Sequence, residues 1–385
     1  MLPYARPSIS EAEIREVEAC LRSGWLSTGP LSARFEEALA GRLGVRHALA
    51  ASSGTAALHL AVLAAGVGPG DEVVTTPMTW VSTANVVVHA GARPVFVDVE
   101  PETLNLDVAR VEAALTPRTR AVIPVHYAGQ PCDLDPLLEL ARGRGIAVVE
   151  DAAHALGASY KGRPVGAIGD LTMFSFHPAK NLTTGEGGAV TTDSDERAER
   201  IRCLRYHGID QRPDARFGGR GAAAYGLVAA GFKYNFTDIQ AAIGLHQLAR
   251  LDALNARRAQ LAKLYEGRLA DVRHVAPLGT APYEHVHAWH IFVVQLETEA
   301  LRATRDEVIA ALREEGVGAG LHFVPLHQLA FYRDAAGADR LPVASDAGAR
   351  ILTLPLFPDM QDEDVDFVAE RLDRVLHART RSAAR

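Results

Sequence analysis

The spacing of apolar residues predicts two helices near the N-terminus. Ile14, Val17 and Leu21 recur on one face of a segment that opens with a capping-box pattern and ends at Gly24. A second apolar stripe predicts a helix over Pro30–Leu43, with proline at its first position and a glycine directly after it. Both helices are amphipathic, so each is expected to bury one face against the rest of the fold.

Short apolar runs then alternate with helical stretches between about residues 46 and 192. Near-continuous apolar strands separated by helices are typical of a sheet that is covered on both faces. The pattern therefore predicts an α/β fold. The predicted strands are His47–Ala51, Glu72–Thr76, Pro94–Val97, Ala121–Val125, Ile146–Val149, Leu171–Phe176 and Gly188–Thr192.

The pattern changes after residue 211. Residues 211–232 are rich in Gly, Ala and Arg, and a mobile loop is expected at 216–221. A long helical pattern from Asp238 to about Leu269 marks the expected change of domain, which gives a large domain over 1–245 and a smaller α+β domain over 246–385. The later elements predicted are a strand Trp289–Leu296, a helix Arg305–Glu315, a strand Val317–His322 and a helix Asp362–Leu376.

Composition and charge exclude several classes of protein. Of 385 residues, 48% are hydrophobic and 23% are charged, which is ordinary for a folded chain and argues against a disordered one. The net charge is −7 and no long basic run occurs, so no nucleic-acid partner is expected. Three scattered cysteines fit neither a zinc site nor a disulfide framework. With no signal peptide or membrane span recognisable, the expected location is the cytoplasm, with no membrane partner.

One lysine is distinguished by its surroundings. An apolar strand leads into a polar turn that carries Lys180, and the glycine-rich turn Gly185–Gly188 follows. A lysine in a loop is usually a solvated surface residue. Here the glycines permit close approach of a ligand, and Ser175 offers a hydroxyl group to a phosphate. A partly desolvated lysine is also a ready Schiff-base former.

Other candidate residues lie where predicted strands end or helices begin. Asp151 follows a strand and is either a helix cap or a carboxylate facing a protonated ring nitrogen. Gly54 and Thr55 open an alanine-rich helix, which fits both an anion site and an ordinary helix start. Trp80 is either packed in the core or at its rim, or stacked on a flat cofactor. Asn235 precedes the long helix and is by default a cap.

Two further patterns carry no cofactor site. The glycines of 66–70 precede a strand instead of following one, so they do not form a dinucleotide-binding turn. His285, His287 and His290 lie close together, but they lack the paired spacing of a structural zinc site. No metal is expected.

Taken together, these segments resemble the DegT–DnrJ–StrS family of nucleotide-sugar aminotransferases, which use pyridoxal phosphate. The similarity extends from Gly24–Pro30 to Leu354–Asp359, and its most specific parts are Ser175–Lys180 with the glycines that follow, and Glu150–His154. Within the family, four segments look most like the enzymes that make UDP-4-amino-4-deoxy-L-arabinose and related UDP-sugar C4″ aminotransferases: Val125–Gly129, Phe232–Asp238, His287–His290 and Gly320–Phe323.

The resemblance implies a role for each candidate residue. Lys180 would hold pyridoxal phosphate as a Schiff base and then carry a proton between cofactor and substrate, and Asp151 would bond the pyridine nitrogen. The remaining residues would line the cofactor: His154 near the ring and its phenolic oxygen, Trp80 on the ring face, Gly54, Thr55 and Ser175 at the phosphate, and Asn235 reaching the phosphate from a neighbouring subunit.

The resemblance also implies the fold and the reaction. The fold would be the aspartate-aminotransferase type, fold type I, with a mostly parallel seven-stranded sheet in a large pyridoxal-phosphate-binding domain. The reaction would move an amino group from an amino acid, with glutamate as the expected donor, to a keto group of a UDP-linked or other nucleotide-linked sugar. C4 is the expected position, and a homodimer with shared sites is the expected assembly.

Two alternatives remain open beside this reading. A pyridoxal-phosphate-dependent sugar dehydratase would carry a histidine in place of Lys180. A non-catalytic sugar-binding or regulatory protein of the same fold would have lost at least one site residue. The chain departs from the arabinose enzymes at Gly54, at Pro178-Ala179 and at His322–His327, which lie near the expected sugar pocket. Further candidates for binding sugar or diphosphate are Arg205, His207, Lys233 and His322.

Overall fold

A computed structural model describes residues 1–210, 225–336 and 341–381. The loop expected at 216–221 lies outside these residues. The helices are α1 (Glu11–Ser23), α2 (Pro30–Leu43), α3 (Gly54–Ala64), α4 (Ser82–His89), α5 (Val108–Ala114), α6 (Leu134–Arg142), α7 (Asp195–Leu204), α8 (Asp238–Leu269), α9 (Arg305–Glu314), α10 (Ala330–Ala336), α11 (Pro342–Arg350) and α12 (Asp362–His377). The strands are β1 (His47–Ala51), β2 (Glu72–Thr75), β3 (Arg93–Phe96), β4 (Thr119–Ile123), β5 (Ala147–Asp151), β6 (Ser159–Tyr160), β7 (Arg163–Pro164), β8 (Leu171–Ser175), β9 (Gly188–Thr192), β10 (Val275–Pro277), β11 (His285–Val286), β12 (Phe292–Leu296) and β13 (Ile351–Leu354).

A seven-stranded sheet forms the centre of the larger unit. Its strand order is β1-β9-β8-β5-β4-β2-β3, and β9 runs antiparallel to both of its neighbours while the other pairs are parallel. Strands β2 and β5 are buried along their whole length. Burial on both faces explains why these strands are apolar without alternation, as the sequence predicts.

Helices cover both faces of this sheet. The alanine-rich α3 is buried on almost every side and packs with α4 and α7 on one face. On the other face, Phe35 and Leu39 of α2 pack with Leu248 and Leu251 of α8. The apolar stripe predicted for α2 therefore meets the long helix and the sheet at the same time.

The start of α8 also fixes the start of α2. Asp238, the first residue of α8, is buried, and its Oδ1 accepts hydrogen bonds from the Gly29 N–H at 2.8 Å and the Ser32 N–H at 2.9 Å. A carboxylate at a helix N-terminus accepts hydrogen bonds from the free N–H groups, and its negative charge interacts favourably with the positive end of the helix dipole. The 24–30 loop is thereby held against a residue more than 200 positions away.

A smaller unit follows along α8. Leu261, Ala262 and Tyr265 of this helix join a second core with α9, α12 and the antiparallel sheet β10-β12-β13. The division expected between residues 245 and 246 falls within α8, so the helix takes part in both packing units. None of the helices across the described ranges combines the length and apolar character that a membrane span requires.

Two predicted strands of the smaller unit differ from the structure. Val317–His322 is not a strand, because Val317 and Gly320 make only isolated bridges, to Leu2 and Thr353. The third strand of this sheet is β13, which the sequence analysis does not predict. The strand expected from Trp289 begins instead at Phe292, since Trp289 has a left-handed backbone with φ of 49°.

Candidate active site

The candidate residues meet at the carboxyl ends of β1, β2, β5 and β8. Ligands of open α/β sheets bind at this edge. A cavity of about 420 Å³ lies there, between the seven-stranded sheet and segments of the smaller unit. The sequence-predicted residues that line it are Gly54, Thr55, Trp80, Asp151, His154, Ser175 and Lys180.

Lys180 follows β8 and points its amine into this cavity. Its Nζ lies 3.4 Å from Nε2 of His290. Burial lowers the pKa of Lys180 to about 8, although the carboxylate of Asp151 opposes this shift. About a tenth of the amine is therefore uncharged at pH 7, far more than for an ordinary lysine, and the uncharged form is the one that attacks a carbonyl carbon. This environment differs from that of an ordinary solvated loop lysine.

Asp151 is the last residue of β5 and is buried. Its Oδ2 accepts a hydrogen bond from Thr83 Oγ1 at 2.8 Å, and its Oδ1 accepts one from the Ala153 N–H at 3.2 Å. Thr83 is hydrogen bonded in turn to Thr79 at 2.8 Å. Burial raises the pKa of Asp151, whereas the hydrogen bonds and the Lys180 charge favour the carboxylate. These two hydrogen bonds hold the Asp151 carboxylate in place, and the charge of Lys180 acts on it.

His154 is buried beside Lys180 and has an unpartnered nitrogen. Its Nδ1 finds no hydrogen-bond partner among the described residues. Its ring centroid lies 4.3 Å from that of His290 and 5.8 Å from that of Phe323. Burial and the nearby Lys180 hold the pKa of His154 well below its usual range, so the imidazole is neutral. A neutral imidazole with a free nitrogen could donate to or accept from a ligand.

The start of α3 lies directly against Ser175. A Cβ at Gly54 would stand 2.8 Å from Cβ and 2.9 Å from Oγ of Ser175, so a larger residue would displace the serine. Ser53 caps the helix by accepting from the Ala56 N–H at 3.0 Å, as in an ordinary helix start, and this cap is compatible with an anion site beside it. Thr55 lies exposed on the first turn. The helix end, two hydroxyl groups and the absence of a side chain at residue 54 together leave room for a phosphate.

Trp80 lies at the rim of the cavity. The residue is 59% exposed, which excludes packing in the core and leaves rim packing and stacking on a ligand as alternatives. The ring centroid stands 6.0 Å from that of Phe323. An exposed indole at a cavity mouth is free to stack on a flat ligand.

Asn235 does not line this cavity in its own chain. Its Nδ2 donates to Thr28 Oγ1 at 2.9 Å, and the residue borders a second cavity of about 260 Å³. Thr237 is the cap of α8, so the default interpretation of Asn235 as a cap is wrong. A contribution of Asn235 across a dimer interface stays a prediction.

Several residues of the cavity have weak or no sequence signals. Tyr4 and Phe323 line it, and Thr83 reaches it through Asp151. His290 and His322 occur in the segments that carry the family resemblance, and both line the cavity. Of the other sugar-site candidates, Arg205 is instead ion-paired with Glu36 and Lys233 lies over the ring of Tyr206, at 4.7 Å from its centroid. No group of three or more His, Cys, Asp or Glu in the described ranges is arranged to hold a metal ion.

The fold and this cavity define a pyridoxal-phosphate-dependent aminotransferase of fold type I. The residues present fit the cofactor: one partly buried amine, one carboxylate lining the same cavity, an unpartnered imidazole nitrogen and a helix start without a side chain at residue 54.

Comparisons with known proteins assign the chain to a family. Residues 7–373 match the DegT/DnrJ/EryC1/StrS aminotransferase family, and the chain belongs to it. It is 46% identical over 376 residues to the spore coat polysaccharide biosynthesis protein SpsC of Bacillus subtilis (strain 168), covering 96% of this chain and 95% of SpsC. The protein is thus a sugar aminotransferase that uses pyridoxal phosphate.

Solved structures of relatives share the same fold. The PLP form of Spr1654 from Streptococcus pneumoniae superposes with a TM-score of 0.90 at 34% identity, covering 98% of this chain and 99% of that one. DesI, solved in the presence of its TDP-sugar product, gives a TM-score of 0.88 at 36% identity, with 98% and 94% covered. PseC of Helicobacter pylori, an aminotransferase involved in the biosynthesis of pseudoaminic acid, gives 0.91 at 28% identity, with 98% and 99% covered.

Proposed function

We propose that this enzyme transfers an amino group from glutamate to the C4 keto group of a nucleotide-linked sugar, with a UDP-linked sugar as the preferred substrate. The observation that carries this proposal is the partly buried amine of Lys180, with its lowered pKa, placed in the same cavity as the carboxylate of Asp151. An amine and an acid held together in a cavity of about 420 Å³ suit proton movement at a carbon atom bound to nitrogen.

The sugar nucleotide is supported by the relatives. DesI was solved with a TDP-sugar product, and PseC takes part in the biosynthesis of pseudoaminic acid. The choice of UDP and of C4 rests on the segments that resemble the UDP-sugar C4″ aminotransferases. Glutamate is proposed as the donor on the same resemblance.

Each residue of the cavity has a proposed task. Lys180 binds the cofactor through Nζ and later carries a proton at that atom. Asp151 holds the proton of the pyridine nitrogen, and Trp80 and His154 confine the ring from its face and its edge. Pyridoxal phosphate supplies the electron sink that stabilises negative charge on the carbon which loses a proton. The phosphate is held by Gly54, Thr55 and Ser175.

We further propose that the active unit is a homodimer. Asn235 lies outside its own cavity, on the wall of the second cavity near Thr28. In this arrangement its side chain would complete the phosphate site of the neighbouring subunit.

The alternatives are disfavoured by specific residues. Dehydration within this family would call for a histidine at position 180, where this chain has lysine. A non-catalytic protein would lack part of the site, yet Lys180, Asp151 and Ser175 all line one cavity.

The absorption spectrum of the purified protein tests the proposal. We expect a yellow absorption band that glutamate bleaches and that a nucleotide-linked 4-keto sugar restores. Lys180→Ala should keep the fold, as judged by circular dichroism, and lose both changes. A variant that transfers amino groups at the wild-type rate would refute the assignment of Lys180. Bleaching by glutamate without restoration by any 4-keto sugar nucleotide would refute the substrate assignment alone.

A further inference from the structure

The amine of Lys180 has a specific neighbour in the smaller unit. Among the described residues, the side chain hydrogen bonded to its Nζ is His290, whose Nε2 lies 3.4 Å away. Asp151 acts on the amine through charge and accepts its own hydrogen bonds from Thr83 and Ala153. His290 is thus the hydrogen-bonding neighbour of the Lys180 amine, whereas Asp151 acts on the amine through its charge.

His290 is held in place through its backbone. Its N–H donates to the Ala128 carbonyl at 3.0 Å, and its carbonyl accepts from Nη1 of Arg258 at 3.0 Å. The same Nη1 donates to the Leu356 carbonyl at 2.9 Å. Arg258 is 2% exposed, and its Nη1 donates to backbone carbonyl oxygens. A buried guanidinium thus ties the His290 segment to α8 and to the chain after β13.

The charges around His290 keep its ring neutral. Burial lowers the pKa of His290 well below its usual range, and Lys180, His154, Arg258 and His322 add to this effect. Arg258 itself stays charged at neutral pH, since burial lowers its pKa only to about 10. A neutral imidazole has one nitrogen with a free lone pair. That nitrogen is Nε2 when the proton is on Nδ1, which has no hydrogen-bond partner among the described residues.

We propose that His290 is a positioning residue, whose neutral Nε2 accepts a hydrogen bond from the Lys180 amine and aims it into the cavity, and that Arg258 holds His290 for this task. The inference rests on the proposed function in one respect, which is that Lys180 is the reactive amine. It adds a route by which the smaller unit controls that amine.

Two substitutions separate this role from a general packing role. In His290→Gln, the amide reaches the position of Nε2 and can still accept from Lys180. In His290→Asn, the shorter amide reaches only the position of Nδ1, so the hydrogen bond to Lys180 is lost. Both side chains are polar and smaller than or similar to histidine, so neither overfills the site. If His290 acted through Nδ1 or through packing, the order of the two variants would be equal or reversed.

The readout is the pH dependence of Lys180 acetylation by trace acetic anhydride, in full-length protein freed of cofactor with hydroxylamine. The chain has only four lysines, Lys161, Lys180, Lys233 and Lys263, so peptide mass spectrometry resolves each one. Lys263 is exposed on α8 and serves as the internal reference. His287→Asn is the matched control, because His287 lies in the same segment and its Nδ1 accepts from the Trp289 N–H at 2.8 Å, a position that the Asn side chain still reaches.

We expect the wild-type midpoint for Lys180 near pH 8, following its pKa of about 8. His290→Asn should lower the midpoint by about half a pH unit or more, since an acceptor that stabilises the ammonium form is lost; this is about a threefold rise in reactivity below the midpoint. His290→Gln and His287→Asn should stay close to the wild type. Equal midpoints for the Asn and Gln variants would overturn the role of His290 alone. A wild-type Lys180 that titrates like Lys263 would overturn this inference together with the proposed function.

Discussion

The hydrogen bond from Thr83 to Asp151 offers a direct test of how the site holds its cofactor. Thr83→Val keeps the shape of the side chain and removes the hydroxyl that donates to Oδ2 at 2.8 Å. Burial already raises the pKa of Asp151, and the loss of this donor should raise it further because the charged form is left less stabilised. A carboxylate that is less persistently charged pairs less well with a protonated pyridine nitrogen.

The size of the effect follows from the remaining contacts. A hydrogen bond to a charged group contributes about 1.5–3 kcal/mol. Oδ1 of Asp151 keeps its bond from the Ala153 N–H at 3.2 Å, so we expect the lower part of this range. Since about 1.4 kcal/mol corresponds to a factor of ten, pyridoxal phosphate should bind about tenfold more weakly to Thr83→Val.

The assay is a titration of cofactor-free protein with pyridoxal phosphate, followed by absorbance. Thr75→Val is the matched control, because Thr75 is buried and its Oγ1 donates at 2.8 Å to the Ile123 carbonyl, a neutral acceptor. This control should lose about 1 kcal/mol of stability and keep its cofactor affinity. Thr79→Val, which breaks the bond of Thr79 to Thr83, should fall between the two variants. A change of less than twofold in Thr83→Val, or an equal change in the control, would refute the reasoning.

Three other changes test separate parts of the structure. Burial alone would raise the pKa of Glu72, but bonds from two arginines and a threonine lower it to about 2, below the ordinary 4.5. Glu72→Gln should therefore lower the free energy of unfolding by about 2 kcal/mol near neutral pH, as measured by thermal unfolding. This difference from the wild type should vanish as the pH falls from about 4.5 towards 2, and a difference that does not depend on pH would contradict the reasoning. Gly54→Ala places a Cβ 2.8 Å from Ser175 Cβ, so cofactor titration should show weaker binding, whereas unchanged affinity would mean the serine does not touch the phosphate. Mixing inactive Lys180→Ala and Asn235→Ala subunits should restore activity in one of the two sites of each hybrid dimer, and no recovery would argue against a shared site.

The sequence predicts that these candidate residues lie together, because parallel strands end at a common edge of the sheet. Asp151, Ser175 and Gly54 are each placed by a strand that is recognisable from its apolar run, and the topology brings the three ends together. Lys180 follows β8 closely enough to share that edge. The positions of these residues can therefore be predicted from local sequence signals together with one general rule, that ligands of α/β sheets bind at the carboxyl ends of the strands.

The residues that the sequence does not predict depend on distant packing. Thr83 is an ordinary threonine in the first turn of α4, and only the approach of β5 makes it a donor to Asp151. Arg258 lies on a long helix where arginine favours an exposed face, yet it is buried by segments about 30 and 100 residues further on. No pattern of apolar and polar positions records such contacts.

The small sheet shows the same limit for secondary structure. The segment after Gly316 is apolar enough to predict a strand, but its backbone hydrogen bonds go to two different segments. The Gly318 N–H donates to the Leu2 carbonyl near the N-terminus, and the Gly320 N–H donates to the Thr353 carbonyl in β13. Because two partners each take one or two hydrogen bonds, no continuous ladder forms. Ile351–Leu354 becomes the strand instead, since it pairs along its length with β12.

The positions of Lys180 and His290 join these observations. Lys180 lies in the loop after β8, at the carboxyl ends of the parallel strands of the seven-stranded sheet, whereas His290 closely precedes β12 of the three-stranded sheet. Helix α8 contacts both packing units. Its Asp238 accepts a hydrogen bond at the start of α2, and its Arg258 donates one to the His290 carbonyl. The amine and its acceptor therefore meet only when the two packing units are docked along this helix. A substitution that weakens the packing of α8 between Asp238 and Arg258 should therefore change the pKa of Lys180, although no residue of the cavity is replaced. The reason is that it changes the distance between Nε2 of His290 and Nζ of Lys180.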